Sequence, residues 1–215
     1  KSRLVHSIGV ILAIATLATP AIAQTKNTIA PDQIPGIAVY IPYPVAITID
    51  GKTDDWKNIP SQRVKTGYPV SPDAKQNAFF DFSVASDGKN LFVYMQSNDS
   101  NIVTGMHEGN FWNEDSLEFY VNLTKNLAAK SYASGIMQVC VNATNIGKNA
   151  GETPSISGVG SENAKVKLAA FRIKGGWAFE AALALPSGFT VEHGKKIGFQ
   201  AAANGATVKD RDSKL

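Results

Sequence analysis

Residues 80–96 read FDFSVASDGKNLFVYMQ and predict a β-hairpin. Phe80 and Phe82 alternate with polar residues, which is the two-residue period of a strand with one buried face. Asp87-Gly88 interrupts this pattern before a second apolar run begins at Leu91. An Asp-Gly pair between two such runs is a strong short-range signal for a hairpin turn. We therefore expect two neighbouring antiparallel strands here.

The same two-residue period recurs along most of the chain, and no stretch gives an amphipathic helix of three turns. Seven or eight short strands at this spacing predict an all-β fold, an antiparallel β-sandwich of immunoglobulin-like or jelly-roll-like type. Long loops are expected at 99–113 and 145–163. The strand-like runs outside the hairpin are 46–49, 116–123, 135–143, 165–173, 177–185 and 196–203.

The first 23 residues have the pattern of a secretory signal peptide. Lys1 and Arg3 precede an apolar run over 8–17, and the small-x-small triplet Ala21-Ile22-Ala23 follows. The apolar run is well short of the roughly 20 residues that span a bilayer. We therefore expect cleavage after Ala23, no stable membrane insertion, and a secreted or periplasmic protein.

The remaining chain divides into a leader and one domain. Residues 24–45 contain four prolines and no sustained period, which predicts an irregular leader. Residues 46–215 have the size of a single β-sandwich domain.

Charge and cysteine content exclude several classes of function. The chain has 21 Lys and Arg against 18 Asp and Glu, and two of the basic residues lie in the predicted signal. The other 19 basic residues nearly balance the acids, so charge-driven binding of nucleic acid is not expected. The single cysteine, Cys140, excludes an internal disulfide and a cysteine-rich zinc site.

Catalytic motifs are absent from the sequence. It contains no nucleophile elbow, P-loop, dinucleotide glycine fingerprint or HExxH pair. Acidic pairs occur at Asp54-Asp55 and Glu114-Asp115, but nothing in the sequence places two carboxylates at the separation that a glycosidase needs. We therefore expect a binding protein and not an enzyme.

The most informative candidate site lies in residues 111–122, which read FWNEDSLEFYVN. In a strand from Ser116, the side chains of Glu118, Tyr120 and Asn122 share one polar face. Trp112 precedes this strand. Carboxylates and amides bind sugar hydroxyls, and an indole covers the C–H patch of a pyranose, so the pattern fits a sugar site. Alternatively, Trp112 closes the end of the sandwich and Glu118 is a solvated strand residue.

Five short blocks of sequence, in this order, carry a family resemblance. They are IDGKTDDW at 49–56, DGKNLFVY at 87–94, WNEDSLEFY at 112–120, GGWAFEAALALP at 175–186 and IGFQ at 197–200. Together they resemble the signature of the family 9 carbohydrate-binding modules, β-sandwiches found on secreted xylanases and related polysaccharide-degrading proteins. The resemblance runs from about Ile47 to the last residue.

The resemblance implies roles for individual residues. Trp112 would form one wall of an aromatic sandwich around a terminal sugar, and Glu118 would hydrogen-bond its hydroxyls. The second wall would lie beyond Leu215, so we expect the domain to continue past this residue. Cys140 stands where sugar-binding members have an arginine, and alanines at 201–203 replace polar residues. The full set of predicted sugar-binding residues is Trp112, Glu118, Tyr120, Asn122, Gln138 and Asn142.

The predicted partner is therefore an oligo- or polysaccharide, bound without cleavage and in support of polysaccharide breakdown. Some members of the family carry structural calcium, for which Asp50, Asp54 and Asp55 are the candidate ligands. The other interpretation of this segment is an Asx-type turn at Asp50-Gly51.

Two further functions remain open from the sequence. Related sandwiches bind b-type haem, which here would need Met95 or Met137 opposite His107 or His193. The second alternative is an envelope interaction module that has kept the fold and lost sugar binding.

Overall fold

The computed structural model describes residues 37–65, 68–69, 79–129, 131, 133–147, 155–157 and 164–215. These residues form two antiparallel β-sheets that enclose a common apolar core, which confirms the predicted β-sandwich. The predicted signal peptide at 1–23 lies outside the described residues.

Eleven strands occur in the described part of the chain. The five-stranded sheet has the order β1-β3-β4-β9-β8, and the six-stranded sheet has the order β2-β11-β10-β5-β6-β7. The strands are β1 Ser61–Val64, β2 Tyr68–Pro69, β3 Phe80–Ser86, β4 Asn90–Ser97, β5 Ser116–Asn122, β6 Ile136–Asn142, β7 Ser155–Ser157, β8 Val166–Ile173, β9 Gly176–Ala184, β10 Gly198–Ala206 and β11 Arg211–Lys214.

The hairpin predicted from the Asp-Gly pair is formed by β3 and β4, whose residues pair from Phe80 opposite Ser97 onwards. Asp87 closes the turn, because its Oδ1 accepts hydrogen bonds from the backbone N–H groups of Lys89 at 2.8 Å and Asn90 at 2.6 Å. Gly88 has a φ of 93°, a left-handed conformation that glycine adopts without steric cost.

The core between the sheets is built from the alternate residues of facing strands. Phe119 of β5 lies between Phe179 of β9 and Phe199 of β10, with ring centroids 6.2 Å away in both cases. Phe119 and Phe179 are fully buried. Burial of large aromatic side chains from both sheets is the dominant stabilising contribution.

The outer face of the five-stranded sheet is covered by the chain that precedes it. Ile47, Ile49 and Trp56 are buried against Phe92 and Tyr94 of β4. The predicted strand at 46–49 is wrong, because this segment pairs with no strand. Its backbone donates instead to side chains: Thr48 N–H to Asp55 at 2.8 Å, and Asp50 N–H to the buried Glu180 at 2.5 Å.

Glu180 holds the covering segment, residues 45–59, in place. Its carboxylate also accepts the N–H of Gly51 at 2.5 Å and the indole N–H of Trp56 at 3.0 Å. The covering segment occupies the outer face of the five-stranded sheet. The candidate site residues lie on the polar outer face of the six-stranded sheet.

Candidate functional site

Strand register brings the predicted polar residues together on the outer face of the six-stranded sheet. Glu118 of β5 lies opposite Cys140 of β6 and Ala202 of β10. Tyr120 lies opposite Gln138. Directly opposed residues of antiparallel strands point to the same side of the sheet. We call this surface the polar face; it comprises Ser116, Glu118, Tyr120, Asn122, Gln138, Cys140, Asn142, Gln200, Ala202, Asn204, Arg211 and Lys214.

Glu118 is the hub of the polar face, and its side chain is fully buried. Its Oε2 accepts hydrogen bonds from the Tyr120 hydroxyl at 2.5 Å, Gln138 Nε2 at 3.1 Å and Lys214 Nζ at 3.3 Å. Its Oε1 accepts one from Asn204 Nδ2. A carboxylate can be buried at this depth because charged and polar donors surround it.

Trp112 lies on the turn that leads into β5. This turn is a short 3-10 helix over Phe111–Asn113, which rests against β5, β6 and β10. Trp112 is 39% exposed and lies on the turn that leads to the Ser116 end of β5.

The loop that carries Trp112 is anchored by the fully buried Glu114. Its carboxylate accepts hydrogen bonds from the backbone of Gly105 at 3.0 Å and Met106 at 2.8 Å, and from Asn142 Nδ2 at 2.8 Å. Burial raises the pKa of Glu114, but these hydrogen bonds outweigh burial and the net pKa is lowered. The ionised carboxylate thus fixes the position of the loop.

Asp115 ties the same loop to β10. Its two oxygens accept the N–H groups of Val103 at 2.6 Å and Ala206 at 2.7 Å. Burial raises the pKa of Asp115 to about 7, against these two hydrogen bonds and with the support of the nearby Asp99 and Asp212 charges.

Two predicted sugar-binding residues are engaged in local turns. The Asn122 amide donates to Asn126 O at 2.9 Å and accepts from Thr124 N at 2.9 Å. Asn142 caps the 3-10 turn at Ala143–Asn145 and is 1% exposed. Direct sugar contact by either amide would require these hydrogen bonds to open.

Sequence reasoning missed the contribution of β11. Lys214 pairs in register with Asn204, and Arg211 with Ala206, so both cations join the polar face from the end of the chain. The short run RDSK has no apolar alternation and gave no strand signal. Lys214 supplies a positive charge beside Glu118, the residue that lies opposite Cys140 of β6.

Cys140 itself is buried and lies beside Glu118. Burial, followed by the charge of Glu118, raises the pKa of Cys140 to about 12, so the thiol stays protonated.

The candidate calcium ligands Asp50, Asp54 and Asp55 have partners within the protein. Asp50 lies 3.1 Å from Lys52 Nζ, Asp54 lies 2.5 Å from Lys57 Nζ, and Asp55 accepts the N–H of Thr48. Within the described residues, no group of three or more Asp, Glu, His or Cys side chains is arranged to hold a metal ion. The Asx-type turn is present instead, since Asp50 Oδ1 accepts the Lys52 N–H at 3.0 Å.

The candidate haem ligands do not surround a common pocket. Met95 and Met137 are buried in the core between the sheets. His107 Nε2 lies 2.7 Å from Asp210 Oδ1 at the end of the polar face. His193 contacts the ring of Tyr43.

No helix among the described residues is long and apolar enough to cross a membrane.

Fold and site together define an all-β sandwich with one polar outer sheet face and an exposed tryptophan on the adjoining turn. A sequence profile described as "Carbohydrate family 9 binding domain-like" matches residues 49–215. The chain therefore belongs to this family, which confirms the resemblance found in the sequence.

Two solved structures share the fold. Both are family 9 carbohydrate-binding modules from Caldicellulosiruptor kristjanssonii, one in complex with cellotriose and one with glucose. The first is 21% identical, with a TM-score of 0.61 over 81% of this chain and 80% of that one. The second is 20% identical, with a TM-score of 0.60 over 82% of each chain. A comparison with curated proteins finds no match.

Proposed function

We propose that the protein binds carbohydrate without cleaving it, through the polar face and Trp112. The observation that carries the proposal is an exposed indole at the end of a strand whose outward carboxylate organises a hydroxyl, two amides and an ammonium group. These groups are the donors and acceptors that pair with sugar hydroxyls, and the indole supplies the apolar surface for stacking. Family membership and the sugar complexes of the two similar structures support the same function.

Glu118 has a defined role in this proposal. Its own donors cover it, so an incoming sugar first meets the half-buried Tyr120 and Gln138. Lys214 Nζ, at 3.3 Å, is the most distant of the donors to Glu118. Lys214 carries three donors, so it can hydrogen-bond a sugar hydroxyl while its ion pair with Glu118 is kept.

Substitution of Trp112 tests the proposal. Trp112→Ala should weaken binding of glucose, cello- or xylo-oligosaccharides at least about tenfold in calorimetric titration, because the stacking surface is lost. Tyr40→Ala removes another exposed aromatic side chain, outside the polar face, and should leave affinity unchanged. Unaltered sugar binding by a folded Trp112→Ala variant would place the site elsewhere.

We further propose that the protein acts outside the cytoplasm in support of polysaccharide breakdown. The signal-like pattern of residues 1–23 supports export. Mass spectrometry of the exported protein should find Gln24 at its N-terminus, whereas an exported protein that keeps residues 1–23 would exclude cleavage after Ala23.

A further inference from the structure

Arg211 adds a guanidinium to the polar face at the end where Trp112 lies. It pairs with Ala206, beyond Asn204, which itself lies opposite Ser116 at the start of β5. Trp112 lies on the short turn that leads to Ser116. Arg211, a permanent cation, therefore lies at the same end of the six-stranded sheet as the turn that carries Trp112.

No carboxylate neutralises this charge in the described part of the chain. The hydrogen bond recorded for Arg211 runs from Nη1 to the neutral Asn204 Oδ1, at 3.2 Å. Glu118 is instead paired with Lys214. Asp210 is turned towards His107, and Asp212 accepts the Thr207 N–H at 3.0 Å.

Arg211 retains unused donor capacity. Among the described residues, two buried side-chain nitrogens have no hydrogen-bond partner: Arg211 Nε, and His107 Nδ1, which lies 3.5 Å from Glu114 Oε2. His107 joins its loop to Asp210, the residue before Arg211. An arginine with one neutral acceptor retains most of its five donors for a planar anionic group.

We propose that the sugar recognised by this protein carries a carboxylate, as a uronic acid does, and that Arg211 binds this carboxylate while Trp112 stacks on the ring. The proposal rests on the carbohydrate-binding function above and names its ligand class. The planar guanidinium can donate two parallel hydrogen bonds to the two oxygens of a carboxylate, whereas a hydroxyl offers a single oxygen.

Matched pairs of sugars test the proposal with the full natural chain. Glucuronate should bind at least about tenfold more tightly than glucose, and galacturonate more tightly than galactose, because a charge-assisted pair replaces a neutral hydrogen bond. Added salt should reduce the preference. Arg211→Gln should remove this preference, so that the affinities of the variant for glucuronate and for glucose lie within about threefold of each other.

Arg172→Gln is the matched control, since Arg172 is an exposed arginine on β8 of the other sheet. This variant should keep the full preference for the acidic sugar. Equal or tighter binding of the neutral sugars would overturn the proposal and leave carbohydrate binding intact. Failure of both acidic and neutral sugars to bind the folded protein would overturn the proposed function as well.

Discussion

Two fully buried glutamates lie on opposite sheets, and their partners explain their different roles. Glu118 is matched by the ammonium group of Lys214 together with hydroxyl and amide donors from three strands. Glu180 accepts two backbone N–H groups and one indole N–H from a single segment. Glu118 therefore organises the side chains of the polar face, whereas Glu180 fastens the covering segment, residues 45–59, to the five-stranded sheet.

Glu180→Gln should lower the free energy of unfolding by about 3 kcal/mol, because an amide cannot accept three N–H groups as a carboxylate does. Urea denaturation followed by fluorescence would measure this change. Asp54→Asn is the control, since Asp54 belongs to the same segment but its ion pair with Lys57 is exposed, and it should change stability little. A Glu180→Gln variant within about 0.5 kcal/mol of wild type would contradict the assigned role.

Asp115 connects elements, since it joins the loop at Val103 to β10 at Ala206. Its folded-state pKa of about 7 exceeds the ordinary value of 3.8, so the folded protein binds a proton that the unfolded chain releases. Stability from this group is therefore present at low pH and is lost as pH rises towards about 7. The slope is at most about 1.4 kcal/mol per pH unit.

This pH dependence can be isolated between about pH 5 and pH 7. The pKa values of Asp81, Asp87 and Glu114 are lowered, so these carboxyl groups lose their stabilising effect only at more acidic pH. Burial raises the pKa of Asp99, as it does that of Asp115, and comparison with Asp115→Asn subtracts the effect of Asp99 because that variant retains it. The free energy of unfolding of wild type should fall across the window relative to that of Asp115→Asn. Parallel profiles for the two proteins would contradict the raised pKa.

The local pattern of apolar and polar residues predicted some strands correctly and one strand wrongly. The hairpin of β3 and β4 was predictable because its turn and both of its apolar runs lie within 17 consecutive residues. The run 46–49 was predicted as a strand because apolar and polar residues alternate in it. Ile47 and Ile49 are buried, as the alternation indicates. Alternation of apolar residues indicates which side chains are buried, but not whether the backbone pairs with a neighbouring strand. The backbone of this segment hydrogen-bonds instead to the side chains of Asp55 and Glu180.

The candidate site was predictable only where it follows one strand. The two-residue period placed Glu118 and Tyr120 on a common face, and the structure brings them within 2.5 Å of each other. Lys214 joins Glu118 across 96 residues of sequence, through the pairing of β11 with β10. Such a contact depends on sheet order, which no local pattern encodes.

In the whole molecule, the two sheets have unequal outer faces. The five-stranded sheet is covered by residues 45–59, whereas the six-stranded sheet presents the polar face and its loop. This asymmetry is the reason that we propose ligand binding on the six-stranded side of the sandwich.

Chemical-shift mapping of backbone amides during a sugar titration tests this assignment. The sugars are glucose, cellotriose and glucuronate, each added to the isotope-labelled full natural chain. We expect the shifted amides to cluster on β5, β6, β10 and β11 and on the loop that carries Trp112. Shifts confined to the five-stranded sheet, or no shifts with any of these sugars, would contradict the account.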